Sequence, residues 1–149
     1  MSLRRGVVMV AVLFVAVSAA QAQWVMVARA VSGRIQHMEQ QKSASNGGYD
    51  VASVILEAKA ANVYDTALKA LKAHSPEVTI TDNDAKKMMI KFTNGQQLAS
   101  LQATSLGPKV TQLMVASNAV EAGQSGTSMV VQGVMKVCKE MNVTCTVEQ

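Results

Sequence analysis

The sequence predicts an α+β fold in which an antiparallel sheet of four to six strands carries two helices on one face. Two apolar stripes with helical spacing, at 62–75 and 125–141, enclose segments that alternate apolar and polar residues. Turn signals at Asn94-Gly95 and Gly107-Pro108 divide those segments. The predicted order is β-α-β-β-β-β-α, with a further short strand at the end. Strands grouped between two helices are typical of an antiparallel sheet covered on one side.

The first 22 residues have the features of a secretory signal peptide. Arg4-Arg5 precedes an apolar run at 7–17, and a small-residue site would allow cleavage between Ala22 and Gln23. An uncleaved membrane anchor is the alternative, because apolar residues resume at 24–27. The segment matches a twin-arginine signal less well. It also contains no cysteine that could be acylated as in a lipoprotein. We therefore expect a periplasmic protein, or one anchored in the inner membrane and facing the periplasm.

The chain divides into a signal peptide (1–22), a leader with a linker (23–48) and a single domain (49–149). Without the signal peptide it has twelve basic and ten acidic side chains. A nearly neutral domain with few aromatic rings lacks the basic surface and the stacking side chains that nucleic-acid binding requires. About 100 residues suffice for one hydrophobic core.

The leader is predicted to form an amphipathic helix, followed by a flexible linker of small polar residues at 42–48. Its apolar side chains recur at steps of three and four, and its basic residues lie largely on other sides. The apolar stripe consists of Trp24, Val27, Val31, Ile35 and Met38. Two interpretations stay open: a frayed leader, or a helix that lies on the membrane surface or docks on a partner.

The domain is predicted to begin with a strand at 51–57, an apolar run suited to a central place in the sheet. The first helix follows, with Asn62 as its N-cap and Asp65 three residues later. It ends at Ser75-Pro76, because the residue before a proline is disfavoured in the α region.

Four strands come next. The clearest has one dry face and one wet face, with Met88, Ile90 and Phe92 alternating with Lys87, Met89 and Lys91. An acidic turn at 82–84 is expected after the first of the four. Asn94-Gly95 predicts a hairpin with a type I′ turn, and Gly107-Pro108 predicts the last turn. The four strands are expected at 78–82, 87–92, 97–104 and 110–117.

The last helix is predicted at 125–141, capped by Ser125 or Thr127, and a final strand at 143–147. Gly133 inside this helix indicates close approach to the sheet or to the first helix. Cys138 and Cys145 are the only cysteines. In an exported chain such a pair favours a structural disulfide over a redox or metal site.

The domain resembles a family of small exported proteins and lipoproteins of Gram-negative bacteria, whose function is unknown and whose order is βαββββα. The resemblance covers about residues 49–146 and implies the fold and an envelope location, without a catalytic residue. Lipid anchoring is not carried over, because the N-terminal cysteine of the lipoproteins is missing. The resemblance rests on the segments 49–52, 61–64, 113–117 and 137–145.

Candidate catalytic and metal-binding residues form no recognised set. His37 and His74 are each expected to be solvated or capping, and no nucleophile-elbow motif accompanies them. Asp82-x-Asp84 lacks the glycine and the glutamate of a calcium loop, and is interpreted as a turn. The many methionines could suit Cu(I), but their spacing favours core packing. We therefore expect no cofactor and no bound metal.

These observations favour a non-enzymatic binding or envelope-accessory module that takes an unknown envelope protein on a wet sheet face or an exposed edge strand. One alternative is a membrane-anchored domain of an inner-membrane complex. Another is a small-ligand carrier or hydrolase with a pocket between the helices and the sheet, which His74 and an acidic neighbour would line.

Overall fold

The computed structural model describes residues 32–40, 48–118 and 128–148. They belong to a compact unit that spans Ser32–Gln149. In chain order the elements are β1 (Arg34–Gln40), β2 (Tyr49–Leu56), α1 (Ala60–Ala73), β3 (Thr79–Asp84), β4 (Met89–Thr93), β5 (Leu98–Gly107), β6 (Val110–Asn118), α2 (Met129–Glu140) and β7 (Thr146–Val147).

The strands form one sheet with the order β3-β4-β5-β6-β2-β1-β7. Every neighbouring pair is antiparallel except β1 and β7, which are parallel. The α+β prediction and the predicted order of elements are confirmed. The sheet nevertheless has seven strands in the described part of the chain, more than the four to six expected, because β1 adds a strand that the sequence pattern did not indicate.

Strand β1 corrects the prediction of an amphipathic helix at this part of the leader. Ile35 is fully buried, whereas Met38 is 62% exposed, because residues three apart lie on opposite faces of a strand. Ile35 is therefore unavailable to a membrane surface. Trp24, Val27 and Val31 lie outside the described residues.

Pairing with β2 explains this outcome. Six residue pairs, from Ile35–Val54 to Gln40–Tyr49, join the two strands, whereas a short helix with a glycine nearby is marginal on its own in water. The compact unit accordingly begins at Ser32, rather than at residue 49 as expected.

Both helices lie on one face of the sheet and share its core. Helix α1 begins earlier than expected, with Lys59 rather than Asn62 at the N-cap, because Ala60 is buried in the core. Helix α2 is capped by Ser128, whose hydroxyl accepts from the N–H of Val130; positions 125–127 lie outside the described residues. The fully buried side chains include Ile35, Leu56, Val63, Ile90, Leu113, Val130 and Val134.

The β4–β5 hairpin forms as expected, but its turn is not type I′. Gly95 has a φ of +88°, whereas Asn94 does not adopt the positive φ that a type I′ turn also requires. The Asn94 side-chain oxygen instead accepts from the N–H groups of Gln96 and Gln97, at 3.0 and 2.8 Å. An Asx-type side-chain contact therefore stabilises a longer loop.

A disulfide joins Cys138, near the end of α2, to Cys145, just before β7, with an S–S distance of 2.07 Å. Both cysteines are buried. The N–H of Thr146 then donates to the carbonyl of Gly33 at 2.8 Å. The disulfide and β7 thus connect the last helix to the start of the first strand.

We expect the double substitution Cys138→Ser and Cys145→Ser to lower the free energy of unfolding by about 2–2.5 kcal/mol, because the disulfide restricts the unfolded chain over a short loop. Urea unfolding with and without reductant measures this difference. Reductant should destabilise the unmodified protein by the same amount and leave the double variant unchanged. Equal unfolding midpoints for the two proteins would contradict the expectation.

Candidate functional site

A buried carboxylate lies where β1, β2 and the start of α2 meet. Asp50 is 4% exposed, and its Oδ1 accepts a hydrogen bond from Nε2 of His37 at 2.6 Å. Its Oδ2 accepts from the hydroxyl of Ser128, the N-cap of α2. The negative charge at this helix N-terminus is favourable, because the helix dipole is positive there. We call these three residues the Asp50 cluster.

The Asp50 cluster contains the three residue types of a serine-hydrolase triad, but its hydrogen bonds join them in a different order. Hydrolysis needs a histidine between the serine and the aspartate, so that the imidazole can take the proton of the hydroxyl. Here Asp50 lies between His37 and Ser128, and the hydroxyl bonds the carboxylate. These hydrogen bonds can hold β1, β2 and the start of α2 together, but they do not activate Ser128 as a nucleophile.

Ser117 adds a further polar group beside this cluster. It lies directly opposite Asp50 in the β2–β6 pairing and is 7% exposed. Its hydroxyl oxygen has no hydrogen-bond partner among the described residues. Asp50, Ser117 and Ser128 therefore place three oxygen-bearing side chains at one end of a largely apolar core.

Sequence reasoning missed the Asp50 cluster. His37 was expected to be solvated or capping in a leader helix, and that prediction is wrong, because its side chain is only 25% exposed and pairs with Asp50. The members stand 13 and 78 residues apart, so no local spacing connects them. The available signal was Asp50 itself, an acidic residue at the start of an apolar strand.

His74 takes the capping role that the sequence predicted. It is the C-cap of α1, and its Nδ1 donates to the carbonyl of Ala70 at 2.8 Å. The structure gives His74 no acidic partner within the described residues. Among the described residues, buried apolar side chains occupy the space between the helices and the sheet, where the sequence-based alternative expected a pocket.

The acidic segment at the end of β3 has a structural role. Oδ1 of Asp84 accepts from the N–H groups of Lys86 and Lys87, at 3.0 and 3.1 Å. The hydrogen bond from the Lys87 main chain is the chief reason why the pKa of Asp84 lies below its ordinary value. Asp82 pairs with β4, so the turn expected at 82–84 begins only after Asp84.

The face of the sheet that the helices leave open is largely uncharged. Neighbouring strands align its side chains in two rows that cross from β4 to β1. The first row is Met89, Gln102, Met114, Ser53 and Gln36; the second is Lys91, Ser100, Ala116, Val51 and Met38. We call these ten residues the helix-free face.

Charge on the open side of the sheet lies at its two ends: at Lys91 on β4, and at Arg34, two residues before Gln36 on β1, whose guanidinium is 3.5 Å from Glu148. Lys91 is the single charged side chain in the two rows, and its Nζ lies 3.2 Å from Oδ2 of Asp82 on β3. At about 4.8 Å between strands, the uncharged part extends roughly 14 Å from β5 to β1. Six of the ten side chains are half-buried by their neighbours, while Gln36, Met38, Lys91 and Met114 are exposed.

A shallow open trough of about 360 Å³ lies beside Lys91. Ser100 and Ala116 are small, and larger side chains, including the 67% exposed Leu98, flank them. Its volume falls in the range of small-molecule sites, but it is open rather than enclosed. Its lining residues are Thr81, Lys91, Leu98, Ala99, Ser100, Ala116, Ser117 and Asn118.

The remaining predicted features have mixed outcomes. Ala22 and Gln23, the expected cleavage site, lie outside the described residues. Within the described ranges, no helix has the length and apolar character needed to cross a membrane. The same ranges bring no three histidine, cysteine or acidic side chains together as a metal site. The methionines divide between partly buried ones at the core, such as Met88 and Met129, and the exposed Met38, Met114 and Met135.

No family model matches the chain, and no curated protein matches it. A solved structure of a conserved protein of unknown function, EF2215 from Enterococcus faecalis, is similar with a TM-score of 0.51 and 14% identity. The similarity covers 72% of this chain and 77% of that one. The Zhui aromatase/cyclase from Streptomyces sp. R1128 matches at 13% identity and a TM-score of 0.37, over 72% and 85% of the two chains.

At these identities, similarity to EF2215 shows the fold alone, and the aromatase/cyclase carries no argument about this chain. The resemblance to exported Gram-negative proteins stays a prediction.

Proposed function

We propose that this protein is an exported, non-enzymatic binding module of the bacterial envelope, and that it takes a partner protein on the helix-free face. The observation that carries the proposal is the uncharged surface from β5 to β1, which neither helix covers. An antiparallel sheet normally exposes a polar face to water. Here the exposed face instead combines Met114, Ala116 and Val51 with hydroxyl and amide side chains.

The partner is expected to present an uncharged, partly apolar surface. Charged side chains are depleted from the centres of protein interfaces, and methionine is enriched there. Ser53 and Gln102 flank Met114 in the first row and can hydrogen-bond a partner at modest desolvation cost. The two charged ends, Lys91 with Asp82 and Arg34 with Glu148, would then lie at the rim.

Two further observations support the envelope location. The first 22 residues have the pattern of an export signal. The Cys138–Cys145 disulfide is of a kind that persists in an oxidising compartment. A periplasmic location is proposed on these grounds, with an inner-membrane anchor facing the periplasm as the alternative.

Site-specific photo-crosslinking in the producing cells tests this function. A photo-reactive amino acid at Ser53 should give one discrete adduct with another protein, identified by mass spectrometry. Adding Met114→Lys should reduce that adduct at least about tenfold, because a lysine would be desolvated in the interface. The matched control is Met135→Lys, since Met135 is similarly exposed, at 41% against 38%, but lies on α2.

The proposal fails if Met114→Lys leaves the adduct unchanged, or if Met135→Lys reduces it equally. The trough beside Lys91 supports a small-ligand carrier as the second candidate. That function would be favoured if Ser53 gives no adduct and the native mass of the purified protein includes a bound small molecule that Ala116→Trp removes.

A further inference from the structure

Three methionine side chains are exposed in the described part of the chain. Met38, at 62%, and Met114, at 38%, lie on the helix-free face, and Met135, at 41%, lies on α2. The chain offers no free thiol, because its only two cysteines are bonded to each other. The exposed thioethers are therefore the sulfur groups that an oxidant reaches most easily.

The other methionines of the described ranges are less accessible. Met88, Met89, Met129 and Met141 are partly buried, and all of them except Met89 pack against the hydrophobic core. The sulfur of Met129 also accepts a hydrogen bond from the side-chain amide of Asn94 at 3.4 Å. Because oxidation of a thioether requires contact between the sulfur and the oxidant, the folded chain should react first at its exposed methionines.

Met114 differs from the other exposed methionines in its neighbours. Gln102 on β5 and Ser53 on β2 lie directly opposite it, one on each side, in the first row of the helix-free face. Directly opposite side chains have Cβ atoms about 5 Å apart, which is within reach of a long side chain such as methionine. Gln102 carries an amide donor and Ser53 a hydroxyl donor. An oxygen atom on the sulfur of Met114 would thus meet hydrogen-bond donors on both sides, whereas a thioether is only a weak acceptor.

We propose that Met114 is a reversible oxidation site that controls binding at the helix-free face, an inference that rests on the proposed function. A hypohalous acid such as hypochlorous acid transfers its oxygen to the thioether. The sulfur gives up two electrons and becomes a sulfoxide, and chloride and a proton leave. A methionine sulfoxide reductase restores the thioether, with a dithiol as the electron donor and water and a disulfide as products.

Two physical effects of the sulfoxide weaken binding of the partner. The new oxygen is polar, and burying it against an uncharged, partly apolar surface costs free energy. It also takes the hydrogen bonds of Ser53 and Gln102, which must be broken before the partner can use the same donors. Since a bound partner covers Met114, the oxidant reacts with the free chain and prevents it from binding again. The fold is retained, because Met114 is not part of the core.

Stepwise oxidation of the purified protein with hypochlorous acid tests the oxidation site without a partner. Peptide mass spectrometry should find the sulfoxide at Met38, Met114 and Met135 before it appears at Met88 or Met129. Far-ultraviolet circular dichroism should stay unchanged over these first steps. The site is wrongly assigned if Met114 reacts no earlier than Met129, or reacts only after the protein has unfolded.

Crosslinking from Ser53 in the producing cells, with Gln102 still in place, tests the control of binding. Hypochlorous acid added before irradiation should reduce the adduct at least about tenfold. With Met114→Leu, which has no sulfur to oxidise, the adduct should persist. Met135→Leu is the matched control and should lose the adduct as the unmodified chain does. Met114→Gln, whose amide resembles a sulfoxide in polarity, should reduce the adduct without any oxidant.

Control of binding by Met114 is overturned if the oxidant reduces the adduct equally with Met114→Leu, because another group then carries the effect. It is also overturned if the adduct persists although Met114 is oxidised. If no adduct forms before the oxidant is added, the proposed function fails, and the control of binding fails with it. The oxidation site is decided separately, by the order of reaction in the purified protein.

Discussion

Replacing Gly33 with alanine is expected to destabilise the protein by about 3 kcal/mol, one of the two largest effects of a single substitution that we foresee. Gly33 has a φ of +77°, and an added Cβ would lie 2.4 Å from the carbonyl oxygen of Thr144. The left-handed conformation alone costs an L-residue roughly 1–2 kcal/mol. The rest comes from moving the main chain just before Cys145.

The same change at Gly133 is the control. The sequence predicted close approach of the last helix there, and a Cβ at Gly133 would lie 3.7 Å from Val115, an ordinary contact. Gly133→Ala should therefore stabilise the protein by up to about 1 kcal/mol through helix propensity. Urea unfolding of both variants measures the difference. If Gly33→Ala lowered the free energy of unfolding no more than Gly133→Ala does, the close contact between position 33 and the Thr144 carbonyl would be contradicted.

Replacing Asp50 with alanine is the second change with a large expected effect, and it should lower the free energy of unfolding by about 3 kcal/mol. The substitution leaves His37 and the hydroxyl of Ser128 without their shared acceptor, in a place where water has little access. Removing one partner from a buried charged contact costs more than the contact contributes, because the other groups stay desolvated.

Asp50→Asn separates hydrogen bonding from burial. An asparagine of the same shape can accept from Ser128 and donate to a neutral His37. We therefore expect Asp50→Asn to lower the free energy of unfolding by only about 1 kcal/mol. Urea unfolding at neutral pH measures both variants, and a double-mutant cycle with Ser128→Ala gives the coupling between the two side chains. Equal losses for Asp50→Ala and Asp50→Asn would show that the hydrogen bonds of Asp50 contribute little.

The core of the fold was predictable from local pattern. Ile90 and Phe92 flank Lys91 on a strand with one buried face, and the apolar side chains of α2 recur at helical steps, so each segment carries its own signal. Strand β1 carries no such signal. Its apolar residues suited a helix equally well, and only pairing with β2, at positions 49–54, decides the conformation.

The candidate sites were less accessible to sequence reasoning. Asp50, His37 and Ser128 come together through the order of strands, in which β1 lies beside β2 and α2 begins near both. The solvent exposure of the helix-free face could be anticipated from the alternating pattern. Which of its side chains align in a row depends on the register between strands. Register follows from pairing across the whole sheet, which one short segment does not determine.

The parallel contact between β1 and β7 also has a consequence for the time course of folding. These are the first and last strands of the described chain, yet Arg34 pairs with Thr146. A ribosome releases the N-terminal segment first. Strand β1 can join β2 early, but its edge must wait until nearly the whole polypeptide has emerged. During that interval a chaperone, or another copy of the chain, would meet an edge that also includes Arg34 and Ile35, which β7 covers in the finished fold.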